Sequence, residues 1–126
     1  MFKIKRIYEP PEEEDGFRLL IDKSWPEDVS EEDAKVDLWL KEIAPDKDID
    51  EWPEDDLDRF DKFKEEYRNK LRRTKTLIKI IRDTEKEKGT ITFLYSAQDP
   101  ECNAAAVLRD KLEGYKTIGQ SGSCGG

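Results

Sequence analysis

The sequence contains no histidine, only two cysteines and a single methionine. Without histidine, the usual neutral-pH proton carrier and the commonest transition-metal ligand are missing. Cys102 and Cys124 are too few for a disulfide framework or, by themselves, for a closed structural zinc site. No apolar run approaches the roughly 18 residues of a transmembrane helix. Met1 to Arg6 pass straight into an alternating pattern, not an apolar leader. These absences lead us to expect a cytoplasmic protein with reduced cysteines, no membrane contact, no metal and no cofactor.

What is present is charge. Charged residues make up 43% of the chain against 35% hydrophobic, and the pI is about 4.7. The three tryptophans, four tyrosines and five phenylalanines fall at regular spacings, so the chain reads as folded, not disordered. Its 126 residues fit one domain. A net charge of −8 disfavours nucleic acid and anionic membrane as partners, because both require a cationic face. The charge is uneven, however. Residues 1–61 carry 22 acids and 9 bases, whereas residues 62–126 carry 9 acids and 14 bases. A local basic surface is therefore compatible with the global sign.

Along the chain, Phe2 to Tyr8 alternates as a strand with a basic edge, and residues 9–16 form a stiff polar loop with two prolines and a closing glycine. Phe17 to Asp22 is a nearly continuous apolar run, the signature of a buried strand. Ser30 to Asp33 resembles a capping box, and Val36, Trp39, Leu40 and Ile43 follow at helical spacing, predicting a helix that ends before Pro45. After an acidic loop, a second helix is predicted from Glu54 through Leu57, Phe60, Phe63, Tyr67 and Leu71. Acids crowd its start and bases its end, as the helix dipole favours. Leu77, Ile78, Ile80 and Ile81 give the core face of a third stretch, continuous with the second or kinked near Thr74. Thr90 to Tyr95 is the clearest strand, β-branched and aromatic. A last helix is predicted from Pro100, with Asp99 as its cap, carrying Ala104, Ala105, Val107, Leu108 and Leu112 up to Gly114. Tyr115 to Ile118 suggests a short strand before a Gly/Ser tail. The resulting expectation is a small single-domain α/β fold over residues 1–113, with three to four mainly parallel strands and about four helices in two or three layers.

Four blocks carry a family resemblance. They are Ile4 to Pro11 with Asp15 to Lys23, Ala34 to Pro45, Phe63 to Arg68, and Thr92 to Asp99. In this order they resemble the DUF488 (YeaO-like) family of prokaryotic proteins, over about residues 3–113. The resemblance implies a compact α/β fold but no reaction. This chain is a diverged member. Where the family usually carries an arginine after the strand-terminal aspartate, it has Lys23. Where the family has arginine and glycine after Trp25 and Pro26, it has Glu27 and Asp28. Where the family has histidine before asparagine, Cys102 precedes Asn103.

In open α/β sheets, ligands sit beyond the carboxyl ends of the strands. The two strand exits therefore supply the candidate site: Asp22, Lys23 and Trp25 from one, and Ser96, Asp99 and Asn103 from the other, with Cys102 as a candidate thiol. If the strands are parallel neighbours, the loops share a cleft in which Lys23, Ser96, Asn103 and free backbone N–H groups would hold a small anion. The plainer reading is that Ser96 and Asp99 cap a helix and Asp22 ties down a turn. Cys102 lacks a histidine base, and Glu101 beside it opposes a thiolate. The acidic runs Glu12 to Asp15 and Glu54 to Asp56 match no calcium-loop spacing and read as solvated faces. The alternative function is a non-catalytic protein-interaction module that uses the basic helix end at residues 68–75 or an exposed strand edge. The sequence leaves the oligomeric state open.

Overall fold

Parallel strands buried on both faces read as unbroken apolar runs, and Ile91–Tyr95 is such a run. In the computed structural model, which describes residues 1–114, all five of these residues are buried at the centre of one sheet. In chain order the strands are β1 (Phe2–Arg6), β2 (Phe17–Leu20), β3 (Leu38–Trp39) and β4 (Ile91–Tyr95). The sheet order is β1-β4-β2-β3, and every pair is parallel. Phe2 pairs with Ile91 and Arg6 with Tyr95 on one side of β4, while Phe17 and Leu20 pair with Ile91 and Leu94 on the other. All strand exits therefore lie along one edge.

The helices are α1 (Glu31–Ala34), α2 (Arg59–Arg73), α3 (Lys75–Lys88) and α4 (Ala104–Leu112). One face of the sheet packs Phe2, Leu19, Ile91, Phe93 and Tyr95 against Phe63, Tyr67 and Leu71 of α2, Ile81 of α3 and Leu108 of α4. Phe2 stacks on Phe93 at 5.7 Å, and Phe63 lies 5.9 Å from Tyr67. Burying each such side chain contributes on the order of 1.5–3 kcal/mol. The other face packs Ile7, Leu20 and Leu94 under Ala34, Trp25, Val29, Val36 and Trp39. It also holds a buried ionic knot. Arg18 donates to Asp15 at 2.6 Å and, through Nε and Nη2, to the Ala34 carbonyl. Lys5 donates to Asp15 and to Glu12, and the Thr92 hydroxyl donates to the Asp15 carbonyl at 2.6 Å.

Gly16 sets the entry to β2. It has φ +65°, and a Cβ there would sit 2.5 Å from the Thr90 carbonyl oxygen. Phe17 donates to that same oxygen at 2.9 Å. Only glycine tolerates both the left-handed backbone and this approach.

The structure departs from several sequence-based expectations. The helix expected from Ser30 to Ile43 lasts one turn. Ser30 caps it, accepting from Asp33 N at 3.1 Å, but Lys35 turns left-handed at φ 49°. Leu38 and Trp39 then extend as β3, because the exposed edge of β2 offers ladder hydrogen bonds that a helix would leave unmade. A 3-10 turn at Lys41–Ile43 follows. The fourth strand is therefore Leu38–Trp39; the expected strand at Tyr115–Ile118 lies outside the described residues. The second helix begins at Arg59, not Glu54, and Leu57, expected on its core stripe, is 79% exposed. Of the expected core face of α3 only Ile81 is fully buried, and Ile80 is exposed. The break near Thr74 is present: its ψ of 48° interrupts the helix, and its hydroxyl donates to the Leu71 carbonyl.

Candidate functional site

Because β2 and β4 are parallel neighbours, their exits lie side by side. Asp22 and Ser96 meet there: the Asp22 carboxylate draws on the hydroxyl and backbone N–H of Ser96. Burial pushes the Asp22 carboxyl up to about 6, with Asp48 and Asp50 adding like charge and Ser96 opposing. The Asp22 carbonyl accepts from Trp39 Nε1 at 2.7 Å.

Asp48 caps a 3-10 turn at Ile49–Glu51. Its carboxylate accepts from Ile49 N at 2.8 Å, and Glu51 accepts from Asp48 N at 2.7 Å. Burial raises its pKa, Asp50 and Glu51 push the same way, and Lys23 opposes. The Tyr67 hydroxyl, fully buried beneath, donates to the Ile43 carbonyl at 2.7 Å; burial together with Asp48 and Asp22 holds its proton firmly. The surroundings of Asp22 are thus weighted to negative charge, which disfavours an anion.

Lys23, a candidate contact for an anion, donates to the Asp46 carbonyl. Trp25 donates from Nε1 to the Val29 carbonyl at 2.6 Å and meets Trp39 edge-on at 5.7 Å. It anchors the second core rather than a cleft.

At the exit of β4, Asp99 does not cap α4. Its carboxylate accepts from Glu101 N at 2.9 Å and Cys102 N at 3.1 Å, closing a local turn. The cap is Asn103, fully buried, whose Oδ1 accepts from Ala106 N at 2.9 Å and whose Nδ2 donates to the Asp99 carbonyl at 2.8 Å. Asparagine is among the strongest caps, so the helix starts there and Pro100 stays outside it. Cys102 consequently lies before the cap, not in a first helical turn, and it is buried without a free thiol. The Tyr95 hydroxyl lies in hydrogen-bonding reach of Asn103, and its pKa is raised by burial, Glu9 and Asp99.

Sequence reasoning missed Arg6, Asp48 and Tyr67. Arg6, at the exit of β1, donates from Nε to the Ala97 carbonyl at 2.9 Å and from Nη2 to the Ser96 carbonyl at 3.2 Å. Nothing local distinguishes it from the other bases of its strand. Asp48 had a signal, since an aspartate three residues before Glu51 is a capping-box pattern.

Among the described residues, no group of three or more carboxylates and cysteines is arranged to hold a metal ion. No helix of the described residues is long and apolar enough to cross a membrane. Two grooves border α2. One, of about 280 Å³, is lined by Lys47, Lys70 and Arg73 with Asp46, Glu66 and Tyr67. There Lys70 is committed to the Ala44 carbonyl and to Asp46, whose pKa it lowers. The other, of about 410 Å³, runs beside Asp61, Lys64, Glu65, Arg68 and Arg72.

Comparison with known proteins agrees on one family. The family described as "Inactive DUF488-N3 subclade" matches residues 1–122. YeaO of Escherichia coli, an uncharacterized protein, is 35% identical over 108 residues, covering 86% of this chain and 93% of YeaO. The uncharacterized protein Rv3073c of Mycobacterium tuberculosis is 30% identical over 112 residues, covering 89% of this chain and 93% of the relative. No solved structure matches the chain significantly.

Proposed function

The chain belongs to the DUF488 family, in the subclade described as inactive, and from that premise we propose that it is a non-catalytic protein-interaction module whose contact surface is the basic stretch at residues 68–75, where α2 passes into α3. The observation that carries this reading is that the strand-exit side chains engage one another or the backbone. Asp22 faces Ser96, Asn103 spans Asp99 and Ala106, Lys23 reaches Asp46, and Arg6 reaches Ser96 and Ala97. A ligand would have to displace these bonds, and leaving the fully buried Asn103 unpaired would cost about 1–3 kcal/mol. Arg72 and Arg73 are exposed at a helix end, Arg72 donating to Asn69 of its own helix, in a segment whose bases outnumber its acids.

Two measurements test this. A thermal-shift panel of phosphate, sulfate, nucleotides, sugar phosphates and divalent metals is expected to be flat. A ligand at 100 times its dissociation constant would add about 2.7 kcal/mol, a rise on the order of 10 °C. A rise abolished by Lys23→Ala or Asn103→Ala in a still-folded protein would replace this reading with a small anionic ligand at residues 22–25 and 95–103. In the second measurement, proteins crosslinked to the full chain in cells are expected to be lost with Arg72→Glu and Arg73→Glu. Their retention at wild-type yield would reject the α2 surface.

A further inference from the structure

The residues that face the core on α2 and α3 define a second row immediately beside them. On α2, Phe63, Tyr67 and Leu71 are buried, and each is followed by a cation: Lys64, Arg68 and Arg72. The pattern persists across the Thr74 break. Half-buried Thr74 precedes Lys75, half-buried Ile78 precedes Lys79, buried Ile81 precedes Arg82, and half-buried Glu85 precedes Lys86. A residue one step after a core position lies about 100° around the helix from it. The row therefore runs along one flank of each helix: Arg72, Lys75, Lys79, Arg82 and Lys86 are exposed on it, while Lys64 and Arg68 are half-buried. Seven cations follow one another on that flank at spacings of three or four residues, with no acid among them.

Helical repeats of three and four residues place these charges roughly 4.5–6 Å apart along each axis. An α-helix with carboxylates at the same spacing repeats at that distance. We infer that this row is the docking track for an acidic α-helix of a partner protein, which rests on the reading above and names its partner class. Nucleic acid fits less well. Glu65, Asp83 and Glu87 flank the row, and no aromatic residue is interleaved for base stacking. A uniform polyanion would meet those acids, whereas a helix that also carries bases would pair with them.

The test uses the full chain and two fluorescent probes: a helical peptide with glutamate at every third or fourth position and lysine on one shoulder, and a duplex DNA of similar length. The wild type is expected to bind the peptide in preference to the DNA, and to lose affinity as salt rises from about 50 to about 300 mM. Lys75→Glu with Lys79→Glu should weaken peptide binding roughly tenfold or more. Lys62→Glu with Lys88→Glu makes the same change in net charge off the row and should weaken it less than about threefold. Equal losses in both variants would mean non-specific attraction and overturn the track, as would tighter binding of the DNA or no peptide binding at all. If the peptide fails while Arg72→Glu with Arg73→Glu still abolishes the cellular crosslinks, the interaction reading stands and only the acidic-helix assignment falls.

Discussion

Asp15 and Asp22 are carboxylates placed near the same sheet, and their surroundings drive them in opposite directions. Burial opposes charge at both. At Asp15 the Glu12 backbone N–H, Lys5 and Arg18 overcome it and hold the pKa below the ordinary value. At Asp22 only Ser96 opposes burial, Asp48 and Asp50 reinforce it, and the carboxyl rises to about 6. The linkage signs follow. Asp15 stabilises the fold above its unfolded pKa of ~3.9, and that contribution is lost as pH falls through its lowered folded value. Asp22 is ionised at neutral pH at a cost to the fold, and the cost is relieved as pH falls from about 6 towards ~4. A shift of this size corresponds to at most about 3 kcal/mol, and solvent at the half-buried site reduces it. Asp22→Asn is therefore expected to raise the melting temperature at pH 7.5 and to remove most of the gain that the wild type shows on going to pH 5. Melting curves at the two pH values decide this. A variant less stable than wild type at pH 7.5 would mean that the ionised Asp22–Ser96 contact outweighs desolvation.

The α4 start and the β3 strand show where local pattern was enough and where it was not. The alternation of Phe2 to Arg6, the apolar run of Ile91 to Tyr95 and the Ser30 cap could all be read directly, because each is set by neighbours in sequence. The 36–43 segment could not. Val36, Trp39, Leu40 and Ile43 fall at helical spacing, yet Leu38 and Trp39 extend because β2, some nineteen residues earlier, presents an unpaired edge. That is a tertiary demand, invisible at short range. The site followed the same rule. That the exits of β2 and β4 adjoin was legible from topology, and Asp22 and Ser96 do meet. The direction of Lys23 was not legible, since it depends on the 45–51 loop folding back over β2. At α4, Asp99 and Asn103 are both good caps, and the choice falls to Asn103 because it serves two bonds while fully buried. Asn103→Ala should cost about 2 kcal/mol, the upper end for a lost cap, and Asn103→Ser should recover about half. Urea unfolding measures both. An Ala variant with unchanged midpoint would assign the helix start to the Asp99 turn instead.

At the scale of the molecule, the strand order makes β4 the element on which the sheet depends. β1 and β2 do not touch each other's ladders; β4 lies between them and pairs with both along its length. The partners are far apart in the chain: Phe2 pairs with Ile91, and Phe17 with the same residue from the other side. Before β4 is in place, β1 has no strand to join, and β2 has only the two-residue β3. The first 88 residues contain most of the helical length but cannot close either core, because Phe93 and Leu94 fill one face each. Helices of 15 and 14 residues are marginal in water without a surface to pack on. A chain ending at residue 88 is therefore expected to retain at most partial helix by circular dichroism and to melt without a cooperative transition, whereas the whole chain melts in one. If the fragment instead gave a sharp transition, α2 and α3 would form a unit with its own core. The basic flank they share would then belong to an independently folding helical pair.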